Sequence, residues 1–128
     1  MLCAWCFLCS PAIAQKTVLD GNSLQNQCVY YRRTTNGDTV SMQDFGKGMF
    51  CVGYIRGVLD GLFVDDVVRS TNTSKSSDAW ENACIPKTVS NDQAIKVVLK
   101  YLDDNPAKLD VPASMLVVKA LAEAFPCK

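Results

Sequence analysis

The apolar positions of this chain fall into four runs with helical spacing, separated by polar or proline-containing stretches. Leu24, Cys28 and Tyr31 recur at i, i+4 and i+7, which places them on one face of a first helix. Asn22 is a good capping residue, and Gln25 stands where its side chain can reach back, so the helix is expected to start at Asn22. Its end is expected in the polar run Arg32 to Thr39, where Asn36-Gly37-Asp38 signals a turn. Ser41 and Asp44 mark the start of a second and longest helix, with apolar surface from Phe45, Met49, Val52, Leu59, Leu62 and Phe63. Ser90 and Gln93 form a capping box for a third helix that buries Ala94, Ile95, Val98, Leu99 and Leu102. Asp103-Asp104-Asn105-Pro106 ends it. A fourth helix follows Asp110-Val111-Pro112, with Met115, Val118, Leu121, Ala122 and Phe125 as its stripe and Pro126 as its stop.

Two stretches do not fit a plain core-facing pattern. Gly53, Gly57 and Gly61 recur every four residues along one side of the second helix. A glycine inside a helix costs up to about 1 kcal/mol, so close approach of another backbone is expected to offset it. Packing within the chain is the ordinary reading; the seam of a homodimer is the functional one. The second stretch, Arg69 to Asn82, is a long polar connection around Trp80, of a length that is often functional. Within it, Asn72-Thr73-Ser74 matches a glycosylation sequon, which has no meaning in a bacterial protein.

The N-terminus changes the compartment expected for the chain. Residues 1–14 are apolar and uncharged and end in Ala12-Ile13-Ala14, a signal-peptide cleavage pattern, although no Lys or Arg precedes the apolar run. Residues 15–128 then form a single mature helical domain. No stretch is long and apolar enough to keep it in a membrane after cleavage. Of the seven cysteines, Cys3, Cys6 and Cys9 belong to the leader, and Cys28, Cys51, Cys84 and Cys127 remain. An even number of cysteines in an exported chain reads as a disulfide framework. The expected fold is all-α, a small four-helix bundle-like domain cross-linked by two disulfides. Four cysteines allow three pairings. An up-down bundle brings Cys28 toward Cys51 and Cys84 toward Cys127, and this pairing is preferred. Cys51–Cys84 with Cys28–Cys127 stays open. Each bond is worth about 3–4 kcal/mol on the loop-entropy account.

Composition removes several function classes. Histidine is absent, which takes away the usual general base, the Ser–His and Cys–His pairs and the commonest metal ligand. No C-x-x-C survives cleavage, so neither a zinc site nor another cofactor is expected. Asp65-Asp66 and Asp103-Asp104 are adjacent carboxylates, but neighbours at i, i+1 point to different helix faces and make poor acid–base pairs. The reading is not an enzyme. Lys plus Arg balance Asp plus Glu with no basic cluster, so no nucleic-acid partner is expected.

The ordered motifs resemble the Rap/Tai family, resistance-associated or type VI amidase immunity proteins. The resemblance rests on Gly21-Asn22-Ser23-Leu24 leading to Cys28, then on Phe50-Cys51-Val52-Gly53-Tyr54-Ile55-Arg56-Gly57-Val58. Ala83-Cys84-Ile85-Pro86, Gln93, Val97-Val98-Leu99-Lys100-Tyr101-Leu102 and Pro106 continue it. Pro112-Ala113-Ser114 and Ala120-Leu121-Ala122-Glu123-Ala124-Phe125-Pro126-Cys127 close it. It spans nearly the whole mature chain.

This resemblance implies a small helical periplasmic protein of a Gram-negative bacterium that binds a peptidoglycan amidase toxin and blocks its active-site cleft. The alternative is a periplasmic binding or acid-stress chaperone-like helical protein with no toxin partner. Recognition is expected on loops carried by a rigid scaffold. The candidate partner-binding residues are Arg32, Arg33, Arg69, Lys75, Asp78 and Trp80, with Trp80 as an aromatic anchor.

Overall fold

A computed structural model describes residues 18–71 and 83–127. The expected leader and most of the polar connection lie outside these residues. The described chain forms α1 (Gly21–Thr35), α2 (Met42–Thr71), α3 (Asn91–Asp104), a one-turn 3-10 helix (Pro106–Lys108) and α4 (Ala113–Ala124). It is all-α, with no strand among the described residues beyond two isolated bridges. α1 packs along α2, and α3 along α4, as two antiparallel hairpins laid together.

α1 starts earlier than the sequence suggests. Its cap is Asp20, whose Oδ1 accepts from the Ser23 amide at 2.8 Å, and not Asn22. Tertiary contacts make the difference. The Gly21 and Asn22 amides donate to the Val111 and Leu109 carbonyls, each at 3.1 Å, and the Ala113 amide donates to the Leu19 carbonyl at 2.8 Å. A Cβ on Gly21 would collide with Leu116 and sit 2.9 Å from the Leu109 oxygen. Only glycine fits so close a crossing, and the strapped backbone turns helical at once.

At its other end α1 closes on Gly37, whose φ of +85° suits a residue without Cβ. Ser41 caps α2 as expected, its Oγ accepting from the Asp44 amide at 3.1 Å. Ser90 caps α3 in the same way through the Gln93 amide, also at 3.1 Å.

The core is one cluster drawn from all four helices, with Leu24, Ile55, Leu102, Leu121, Val98 and Val117 fully enclosed. Each such side chain contributes about 1.5–3 kcal/mol by leaving water. Tyr101 is buried among them with its hydroxyl unbonded to any described residue, and burial raises its pKa above the usual phenol value. α4 turns a different face inward from the one expected: Ala113, Leu116, Val117, Ala120 and Leu121 are buried, and Met115 is half exposed. This helix is apolar almost all round, so its own pattern cannot fix its rotation and its neighbours do.

α2 also departs from expectation. Its inward face is Gly48, Cys51 and Ile55, with Val52, Leu59 and Leu62 packed beside it, while Phe45, Met49 and Phe63 point to solvent.

The cysteines pair as preferred. Cys28–Cys51 has a Cα separation of 5.1 Å and lies in the core. Cys84–Cys127, at 4.9 Å, is exposed. The second bond runs beside a bridge between Ala83 and Pro126 and a hydrogen bond from the Cys84 amide to the Phe125 carbonyl at 2.8 Å. Together these fix the chain's last residues to the strand of backbone that leads into α3.

Candidate partner interface

The charged candidates separate into a strut and a surface group. Arg32, in the last turn of α1, donates to Asp103 Oδ2 at 2.6 Å and to the Leu99 carbonyl at 3.2 Å. Gln25 holds the other oxygen of Asp103 at 3.0 Å. Arg32 is therefore spent on bracing α1 against the end of α3. Its neighbour Tyr31 does the same at the start of α3, donating to Asp92 at 2.6 Å. Burial, and then the Asp92 carboxylate, push the Tyr31 hydroxyl up to about 12. Asp92 in turn lies below the usual carboxylate range, chiefly through Lys96 and then through Tyr31.

Arg33 faces outward, 3.8 Å from Asp38, and is half exposed, so it can meet a partner. Arg69 falls in the last turn of α2; its side chain lies outside the described set. Lys75, Asp78 and Trp80 lie outside the described residues altogether.

The three glycines of α2 show something different from the packing expected of them. Among the described residues, a Cβ built on Gly53, Gly57 or Gly61 meets nothing within 4 Å, nor does one on Gly46. The backbone approach that glycine permits is made at Gly48, where a Cβ would lie 2.9 Å from the Tyr31 nitrogen as α1 and α2 cross. The sequence reading passed over Gly48, although its place three residues before Cys51 put it on the cross-linked face. Around the open glycines, Met42, Phe50 and Val64 are 84%, 47% and 58% exposed. Soluble chains rarely show so long an apolar strip without a partner.

A second feature was not legible in the sequence. A groove of about 440 Å³ separates the C-terminal half of α2 from residues 83–91. Leu59, Leu62, Ile85 and Val89 line it, and Asp66 and Lys87 stand at its margin. One wall belongs to α2, up to Asp66, and the other begins at Ala83. Cys84, bonded to Cys127, also lines it. Its residues come from segments that are far apart in sequence, and no local pattern announces the cleft.

Among the described residues no three His, Cys, Asp or Glu side chains gather as metal ligands would, and no helix is long and apolar enough to cross a membrane. In comparison with known proteins, the family model of Rap1a immunity proteins matches residues 20–127. No curated protein and no solved structure matches the chain.

Proposed function

Because this chain belongs to the Rap1a immunity protein family, we propose that it is a periplasmic immunity protein that binds a peptidoglycan amidase delivered by a type VI secretion system and occludes its cleft. One observation carries the reading: the family match extends from the cap of α1 to the last cysteine, over the whole disulfide-linked scaffold. The expected leader, residues 1–14, and the two disulfides support export to an oxidising compartment.

Occlusion asks for no chemistry from the protein. It asks for a rigid body that presents a protruding segment and holds it still, because ordering that segment on binding would cost affinity. The helical hairpins supply the body. The polar connection 69–83, with Arg69, Lys75, Asp78 and Trp80, is the recognition segment of this reading. An aromatic ring such as that of Trp80 delivers much contact area for little lost side-chain freedom. Arg33 is the second point of contact, about 100° round α1 from the braced Arg32.

The test is inhibition. The oxidised protein is titrated into the amidase encoded beside its gene, with peptidoglycan hydrolysis as readout. Activity falls to zero at equimolar protein, and Trp80→Ala weakens the inhibition by at least tenfold, as loss of about 1.4 kcal/mol or more would do. An amidase that keeps full activity in excess protein sinks the proposal.

A further inference from the structure

We propose that Cys84–Cys127 is a site of thiol–disulfide exchange, opened by a dithiol while Cys28–Cys51 stays closed.

The two bonds share their covalent chemistry and have opposite surroundings. Cys28 and Cys51 are 1% and 0% exposed and belong to the core cluster, between α1 and α2. Cys84 and Cys127 are both exposed, and neither belongs to that cluster. Exchange needs a thiolate to reach one of the two sulfurs. At Cys84 the way is open twice over, because this residue also lines the groove between α2 and residues 83–91. At Cys28–Cys51 the core has to open first. For a small domain the unfolded form is roughly 10³–10⁸-fold rarer than the folded one, and the enclosed bond draws on that scarce population or on partial openings of the core. Access alone therefore separates the rates of the two bonds by orders of magnitude.

One thiolate of the dithiol attacks a sulfur of the pair, joins it in a mixed disulfide and expels the other cysteine as a thiolate, which takes up a proton. The second thiolate of the dithiol then attacks the mixed disulfide, closes the dithiol into its own disulfide and releases the second cysteine, which is protonated in turn. Two electrons and two protons pass from the dithiol to the protein, which ends with thiols at Cys84 and Cys127.

What the bond holds lies at one end of the molecule. When it opens, the Ala83–Pro126 bridge and the hydrogen bond from the Cys84 amide to the Phe125 carbonyl remain, and the partly buried Ile85 and Phe125 still pack on the core. α1 and α2 keep their own cross-link. The opened chain is therefore folded, with a looser anchor at Ala83, where the polar connection ends. Under the amidase reading, on which this consequence alone rests, that anchor steadies the recognition segment, so opening weakens inhibition.

Stepwise reduction of the oxidised, exported chain tests this. The protein is held in graded dithiothreitol, or in micromolar reduced thioredoxin, then alkylated and mapped by mass spectrometry. Label reaches Cys84 and Cys127 at least about a hundredfold faster than Cys28 and Cys51. Helix content is unchanged once that first pair is fully labelled, and the double variant Cys84→Ser, Cys127→Ser has the same helix content. Opening by dithiothreitol alone assigns the site to small dithiols, and opening by thioredoxin as well assigns it to a protein dithiol. Simultaneous labelling of both pairs, earlier labelling of Cys28 and Cys51, resistance of Cys84–Cys127 to both reagents, or loss of helix on opening it overturns the proposal. As a separate readout, the opened chain inhibits the amidase at least about tenfold less well than the closed one, and equal inhibition by both overturns the looser anchor. An amidase that neither form inhibits counts against the amidase reading, while the labelling order decides the exchange site.

Discussion

The two faces of α2 use the same residue type to opposite ends. Gly48 is pressed against α1 so closely that a Cβ would stand 2.9 Å from a backbone nitrogen. Nine residues on, a Cβ on Gly57 would meet nothing among the described residues, nor would one on Gly53 or Gly61. The inner face is accounted for by the fold of one chain: Gly48 admits α1, Cys51 is bonded to Cys28, and Ile55 is enclosed. The outer face is not. A glycine that meets nothing among the described residues costs helix stability with no close backbone approach to offset it there. Spacing alone does not separate the two cases, since a glycine stripe reads identically whether it meets a helix of its own chain or of another.

Substitutions sort by this difference. The largest effect falls on the inner face: Ile55→Ala leaves a cavity in the core and lowers stability by about 2–5 kcal/mol, while Phe50→Ala on the outer face stays within about 0.5 kcal/mol. Urea unfolding at submicromolar protein checks both, and equal losses would erase the distinction. At the glycines the sign itself reverses. Gly48→Ala forces α1 and α2 apart and costs about 1–3 kcal/mol. Gly57→Ala gains up to about 1 kcal/mol of helix propensity under the same dilute conditions. A destabilised Gly57→Ala monomer would mean that the outer face is occupied within the chain.

The smallest effect is that of pH, and it acts through exposed caps and pairs. The Asp20 carboxyl lies below its usual value through the Ser23 amide, and those of Asp44 and Asp92 through Lys47 and Lys96. A carboxylate lowered by folding supports the native state above its unfolded pKa of 3.8, and that support is lost as pH falls through the folded value. For Tyr31, raised by burial to about 12, the stabilisation is whole below 10 and lost as pH climbs through 12. The urea midpoint is therefore flat between pH 5 and 9 or so and declines gently on either side. Cooperative unfolding at about pH 2–3, with gain of client binding, would instead favour the acid-stress chaperone reading.

Much of the fold was legible because it is written in local chemistry. Ser41 and Ser90 cap the helices they precede, Gly37 turns the chain, and the order of the helices favours the cysteine pairing that is found. The misreadings arise where distant residues decide. Asn22 is as good a cap as Asp20, but Leu109 and Val111 take the Asn22 and Gly21 amides and pull the start back. α4 offers apolar residues on every side, so its inward face follows from α1 and α3. The candidate site was less legible for the same reason. Nothing near Arg32 announces that Asp103, 71 residues away, will claim its guanidinium. The groove beside Ile85 exists only once α2 and the start of α3 are set side by side.

The disulfides also have an order in time. Each joins consecutive cysteines of the helical domain, Cys28 to Cys51 and Cys84 to Cys127, so the two rings follow one another and neither encloses the other. A chain emerging N-terminus first presents Cys51 as a partner for Cys28 before Cys84 appears. The first bond can close correctly on α1 and α2 alone, and the second waits for the final residues. Such a protein can reach its native pairing without an isomerase to reshuffle it.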